Sequence, residues 1–183
     1  MTALQQSLSV AEYLERELHA EVRHEFVNGQ MLPMPGETDI HNDIVGNIYA
    51  ALKPKIRARG CRVYFGDVKV RVAGERYHYP DVFITCEPES ETRIKNHPCF
   101  ILEVISETTA DVDRGAKLYE YQSIPSLEQY VLIEQKQQFA TVYRRGSEGW
   151  LVSFCSEGAI EIPSVDASLT FDETYAGIEF SKP

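Results

Sequence analysis

Two carboxylates stand inside apolar, β-branched runs: Asp81 in Tyr79-Pro80-Asp81-Val82, and Glu103 in Ile101-Leu102-Glu103-Val104-Ile105-Ser106. Runs of this kind form buried strands. An ionised carboxylate buried without a partner costs several kcal/mol or takes up a proton. Alternation places Ile101, Glu103 and Ile105 on one strand face, so Glu103 does not read as ordinary surface. Two such residues on strands that can pair predict a shared cation, and a cation held by carboxylates predicts phosphate chemistry.

The pattern around these runs is mixed. Ser9 to Ala20 reads as a helix, with Ser9 as cap, Glu12 at the capping-box position and Val10, Tyr13, Leu14 and Leu18 as its apolar stripe. Arg23 to Val27, Asn28-Gly29 and Gln30 to Leu32 predict a tight hairpin. Ile40, Ile44, Ile48 and Leu52 recur by fours in a long helix from Asp39 to about Arg59, with Pro54 expected to kink it or mark its last turn and Gly60 to stop it. Strands follow at Cys61–Phe65, Val68–Val72, Tyr79–Thr85 and Cys99–Ile105, with a polar loop from Glu87 to His97. Asp111 to Gln122 reads as a helix, and Gln129–Glu134, Phe139–Arg144 and Trp150–Phe154 as strands. The order predicts an α/β or α+β domain, a central sheet flanked by helices. Trp150, Phe154, Phe171 and Tyr175 are expected to cover that sheet, an interface being the alternative.

With 183 residues, 43% hydrophobic and 25% charged, the chain is expected to fold as one domain, 1–183 with its core at about 9–175. The first six residues lack a basic region before an apolar core, so no signal peptide is expected, and no run is long enough to span a bilayer. Cys61, Cys86, Cys99 and Cys155 are scattered without a C-x-x-C pair, which fits free thiols and a cytoplasmic location. A net charge of −10 argues against passive electrostatic binding of nucleic acid. It does not exclude a nuclease, because charges more than roughly 8 Å apart are largely screened at physiological salt.

Each candidate has a plain structural reading beside the chemical one. Asp81 after Pro80 is also turn chemistry. Glu103 can be a salt-bridged core residue, paired with Lys69 or Lys117. Glu25 can be a surface strand residue paired with Arg23 or a cross-strand lysine. Lys117 stands four residues after Asp113, an ordinary helix-surface pair worth ~0.2–0.5 kcal/mol, which spacing alone favours. His41 reads as a hydrogen-bonding residue at a helix start, and His24, His78 and His97 show no metal-ligand spacing. If Asp81, Glu103 and Glu25 converge, carboxylates about 4 Å apart repel by ~4 kcal/mol at an effective dielectric near 20. A divalent cation relieves this, and hard oxygen ligands favour Mg2+ or Mn2+ over zinc.

The chain resembles the Uma family of restriction endonucleases, within the PD-(D/E)XK nuclease superfamily. The matching stretches include Arg23-His24-Glu25-Phe26 with Asn28-Gly29, Gly36 with His41 and Asn47, and Tyr79-Pro80-Asp81-Val82. Leu102 to Ser106, Asp113-Arg114 with Lys117, Tyr121 to Leu127, Tyr130 to Ile133 and Tyr143-Arg144-Arg145 continue the match, which runs from about Ser9 to Tyr175. The resemblance implies a restriction-endonuclease-like fold: a four-stranded mixed sheet flanked by helices, with an N-terminal hairpin and extra C-terminal strands. It implies metal-dependent phosphodiester hydrolysis, with Asp81 and Glu103 as metal-binding catalytic acids and Glu25 completing the metal site. The sequence departs from the motif at Ile105, where a lysine is usual. Lys117 would then supply the catalytic cation from a displaced position. By analogy the substrate is DNA and the assembly a homodimer, with no membrane partner. The alternative is a nuclease fold without turnover, acting as a nucleic-acid- or protein-binding module.

Overall fold

The computed structural model describes residues 7–34, 36–105 and 115–180. Two sheets and the chain that crosses between them position the site. The N-terminal helix α1 (Val10–Leu18) starts at Ser9, whose hydroxyl and backbone exchange hydrogen bonds with Glu12, the expected capping box. Strands β1 (His24–Val27) and β2 (Gln30–Pro33) form the hairpin, and Asn28 and Gly29 both take positive φ, as a tight turn requires. With β4 (Lys69–Val72), β5 (Arg76–His78) and the short β7 (Ile94–Lys95) they build a five-stranded sheet in the order β2-β1-β5-β4-β7. One face of it packs Tyr13, Phe26 and Tyr77 beneath α1.

The second sheet has six strands in the order β11-β10-β9-β8-β6-β3. These are β3 (Arg62–Phe65), β6 (Val82–Thr85), β8 (Pro98–Ile105), β9 (Gln129–Glu134), β10 (Ala140–Gly146) and β11 (Gly149–Cys155). All neighbours are antiparallel except β8 and β9. Helix α2 (Asp39–Ala58) covers one face, with Ile44, Ile48, Leu52 and Ile56 fully buried and Pro54 inside its last turns. Ile40, the first of the fours, is exposed. Helix α3 (Ala116–Gln122) contributes Tyr121 to the opposite face, beside Phe83, Ile101, Ile105 and Tyr130. A last pair, β12 (Ala159–Ile162) and β13 (Ala167–Thr170), and the short α4 (Phe171–Thr174) close the α2 side.

The structure departs from the sequence reading in three places. The run Tyr79–Thr85 is not one strand: β5 ends at His78 in the first sheet, and β6 begins at Val82 in the second. The expected four-stranded mixed sheet is present as β3, β6, β8 and β9, and β10 and β11 are the extra C-terminal strands that extend it to six. The polar loop before β8 contains β7, which pairs parallel with β4. Cys61 and Cys86, one position beyond the Arg62–Thr85 end of the β3–β6 ladder, are joined by a disulfide with Cα atoms 4.2 Å apart. Strand register brings them together across 25 residues, which spacing could not reveal. Cys99 and Cys155 are free as expected, but with Cys61 and Cys86 joined, cysteine usage no longer speaks for a reducing compartment. Phe171 and Tyr175 do cover the sheet, whereas Phe154 is exposed. The expected helix start at Asp111 and the Asp113–Lys117 pair lie outside the described residues. Among the described residues no helix is long and apolar enough to cross a membrane.

Candidate active site

The site sits at the seam between the two sheets, where the chain passes through Tyr79, Pro80 and Asp81. The β6–β8 register pairs Val82 with Leu102 and Phe83 with Ile101. Carried one step further, it sets Asp81 opposite Glu103, on the face shared by Phe83 and Ile101. The two acids are cross-linked through their backbones. Glu103 Oε2 accepts the Asp81 N–H at 2.9 Å, and Asp81 Oδ2 accepts the Val104 N–H at 2.8 Å. Such charge-assisted bonds contribute about 1.5–3 kcal/mol each and hold both carboxylates in fixed orientations.

Each acid has a further partner from a helix. His41 Nε2, at the start of α2, lies 3.1 Å from Asp81 Oδ2. The Tyr121 hydroxyl donates to Glu103 Oε1 at 2.9 Å. Burial first, and the adjacent Glu103 carboxylate second, push the Tyr121 phenol far above its ordinary range, so it stays a proton donor. Oδ1 of Asp81 makes no hydrogen bond among the described residues. Asp81 lines an open groove of about 470 Å3 with Arg23, Met34, Gly36, Asp67, Tyr79 and Pro80 among its walls.

Behind the acids lies a run of alternating charge. Lys117 Nζ is 3.6 Å from Glu103 Oε1 and 3.0 Å from Glu25 Oε1. The β1–β5 register, fixed at Phe26–Tyr77, sets Glu25 opposite His78. His78 Nδ1 lies 3.3 Å from the same Glu25 Oε1, an ion pair without good hydrogen-bond direction. Its Nε2 meets Glu120 Oε2, and Glu120 Oε1 is 3.3 Å from Arg76 Nη1. Burial would raise the Glu25 carboxyl, but His78 and Lys117 outweigh it and hold the group down at about 2. Burial would likewise drive His78 toward neutrality, yet Glu120 and Glu25 raise it above its ordinary value.

Asp81, Glu103, Lys117 and Glu25 therefore lie in one neighbourhood, with Glu25 on the far side of the ammonium. Lys69 instead lies over the rings of Tyr79 and Tyr13, at 5.0 and 5.9 Å. Among the described residues no three His, Cys, Asp or Glu side chains gather tightly enough to hold a metal ion. A pair of carboxylates still fits Mg2+, which usually takes one or two carboxylates and keeps water or phosphate as its other ligands. His41, read as a hydrogen-bonding residue at a helix start, sits there and meets Asp81, whereas His78, Glu120 and Tyr121 are residues that sequence reasoning left without a role. The signal for two of them was there: Lys117, Glu120 and Tyr121 stand at i, i+3 and i+4 and share one face of α3.

The fold is shared with a solved structure. A crystal structure from Anabaena variabilis, described as "a putative nuclease belonging to DUF820", superposes with a TM-score of 0.70 at 18% identity, over 92% of this chain and 98% of that one. Residues 10–171 match the model of the Uma2 family, described as "Putative restriction endonuclease", and the chain belongs to that family. It is similar to two uncharacterised proteins of Synechocystis sp. The protein slr1290 is 29% identical over 178 residues, 94% of each chain. The protein sll1609 is 33% identical over 153 residues, 80% of this chain and 86% of that protein.

Proposed function

We propose that this protein hydrolyses phosphodiester bonds of nucleic acid, with DNA as the substrate and Mg2+ or Mn2+ as the cofactor. The observation that carries the reading is the Asp81–Glu103 clasp with the Lys117 ammonium beside it. Asp81 and Glu103 would hold the ion, Asp81 through the oxygen that its backbone clasp leaves unbonded. When bound, the ion supplies Lewis acidity, activating a water and polarising the scissile phosphate.

The other residues serve that pair. His41 and the Val104 amide fix one oxygen of Asp81, which turns the carboxylate about a known axis. Glu103 is held at both oxygens, Tyr121 donating to Oε1 and the Asp81 amide to Oε2. Lys117 neutralises the negative charge that grows on the phosphate, a task suited to a fixed cation in a water-poor site. Glu25 anchors that ammonium and can reach the ion only through a water. Arg23 brings positive charge to the groove, although Asp67 holds it at 3.0 Å. A duplex has two strands, so double-strand cutting calls for two copies of this single-site chain.

The rival reading, a nuclease fold that binds without cutting, rests on Ile105 at the usual lysine position. Ile105 packs into the apolar cluster with Ile101 and Tyr121 and can play no ionic role. The nearness of Lys117 to Glu103 favours the active reading. The test is cleavage of linear, supercoiled and single-stranded DNA and of RNA with Mg2+ or Mn2+, by wild type, Asp81→Asn and Glu103→Gln. Cleavage by wild type alone supports the assignment. Wild-type rates in a folded Asp81 variant refute it.

A further inference from the structure

We propose that His78 is a positioning residue: it holds Glu25 from the side opposite Lys117 and so sets how the ammonium divides between Glu25 and Glu103. This rests on the nuclease reading for its kinetic test only. His78 is 2% exposed, and both of its ring nitrogens face carboxylates. An apolar side chain would fill this space between Val70 and Tyr121 at less desolvation cost, so the imidazole is unlike its surroundings.

The geometry shows what the imidazole does. Lys117 Nζ at 3.0 Å and His78 Nδ1 at 3.3 Å share one atom, Glu25 Oε1. The two cations compete for that oxygen, and the competition leaves Lys117 within 3.6 Å of Glu103. Glu120 grips the other nitrogen of His78 and is itself held by Arg76, 3.3 Å away. Arg76, Glu120, His78, Glu25, Lys117 and Glu103 thus alternate in sign from the outer end of β5 to the site. With His78 removed, Glu25 has one cation left, and the ammonium is drawn toward Glu25 and away from Glu103. A displacement of about 1 Å at a reacting group can cost on the order of 100-fold in rate.

The experiment compares wild type, His78→Ala, Glu120→Gln and the double variant. Two quantities are read: Mg2+-supported DNA cleavage, as kcat and KM, and the side-chain 15N signal of Lys117 by NMR. The expected result for His78→Ala is a kcat lowered about 10- to 100-fold, a KM within about twofold, and a shifted Lys117 signal. Glu120→Gln should show a smaller loss of the same kind, and the double variant should be no slower than His78→Ala, because Glu120 acts through His78. A folded His78→Ala with wild-type kcat and an unmoved Lys117 signal overturns the proposal. Should His78→Ala fail to fold, Glu120→Gln decides by the same two readings. Should the wild type cut no substrate, the nuclease reading fails by itself, and the Lys117 signal alone supports or overturns the positioning role.

Discussion

Asp81 and Glu103 each hydrogen-bond the backbone of the other's strand: Glu103 Oε2 takes the Asp81 N–H, and Asp81 Oδ2 takes the N–H of Val104, next to Glu103. The clasp makes the two acids parts of one structure as well as neighbours. Asp81→Ala strips a buried amide of its acceptor and is expected to cost about 1–3 kcal/mol in urea unfolding. Asp81→Asn keeps an acceptor oxygen and should unfold near the wild type. Both should lose cleavage by at least about 100-fold, a loss typical of removing one preorganised electrostatic group. Equal loss of stability in the two variants would count against the clasp.

Lys117 is the cation that Glu25 and Glu103 share. Lys117→Met keeps the length of the stem and removes the charge, leaving two buried acids with one counter-charge fewer. Cleavage should fall about 100-fold or more. Stability at pH 7 should fall too, and recover when Glu25→Gln is added, since the uncompensated acid is then gone. A Lys117→Met protein that cuts at the wild-type rate would assign the charge stabilisation elsewhere.

The charge run also has a pH signature. Glu25 is held at about 2 against an ordinary 4.5. A lowered carboxyl stabilises the fold fully above its unfolded value and loses that contribution as pH falls from 4.5 toward 2. The contribution is at most about 3 kcal/mol. Thermal unfolding should therefore show a drop between pH 5 and pH 3 that is smaller in Glu25→Gln. His78, raised by its two carboxylates after burial has worked against it, acts in the opposite sense. Its contribution is complete below its unfolded value and fades as pH rises past the folded one.

A second buried acid supports the seam from outside the site. Glu17 accepts the Tyr79 hydroxyl at 2.9 Å, the His24 N–H at 2.9 Å and lies 3.1 Å from His24 Nδ1. Tyr79 is two residues from Asp81. Glu17→Ala leaves a buried hydroxyl and a backbone amide without their acceptor, and a cost of about 2–4 kcal/mol is expected by denaturant unfolding. Stability within about 0.5 kcal/mol of wild type would show that water replaces the carboxylate.

The edge strand β11 carries no charged residue from Gly149 to Cys155, and Leu151, Val152 and Phe154 are exposed. Natural edges are usually blunted by charge or proline. For the two-copy assembly proposed above, this neutral edge on a chain of net charge −10 is the predicted contact, pairing antiparallel about a two-fold axis. Leu151→Lys with Phe154→Lys should convert a dimer to a monomer in sedimentation. An unchanged sedimentation coefficient, or a wild type that is monomeric at micromolar concentration, would remove β11 as the contact.

The local order of the chain was legible because it depends on neighbours in sequence. Ser9 and Glu12 are three apart and make their capping box within one turn, and Asn28-Gly29 selects its hairpin from the φ values those residues tolerate. The alternation around Glu103 was equally local, and its face is the one predicted. What depended on register was not legible. The break at Tyr79-Pro80 that sends one run into two sheets, the β7 ladder and the Cys61–Cys86 link are set by pairing between distant strands.

The sequence by itself determined that Glu103 could not be ordinary surface, because a carboxylate among β-branched residues must find partners, and it left Asp81 between a strand mouth and a turn. Tertiary structure alone decided who those partners are. Lys117 reads locally as a surface residue of a short helix. Only the packing of α3 across the seam sets its ammonium between Glu25 and Glu103, and only the β1–β5 register puts His78 behind them. The physical reason is range: a few residues fix backbone propensity, whereas the charge a buried acid meets is fixed by whichever elements fold against it.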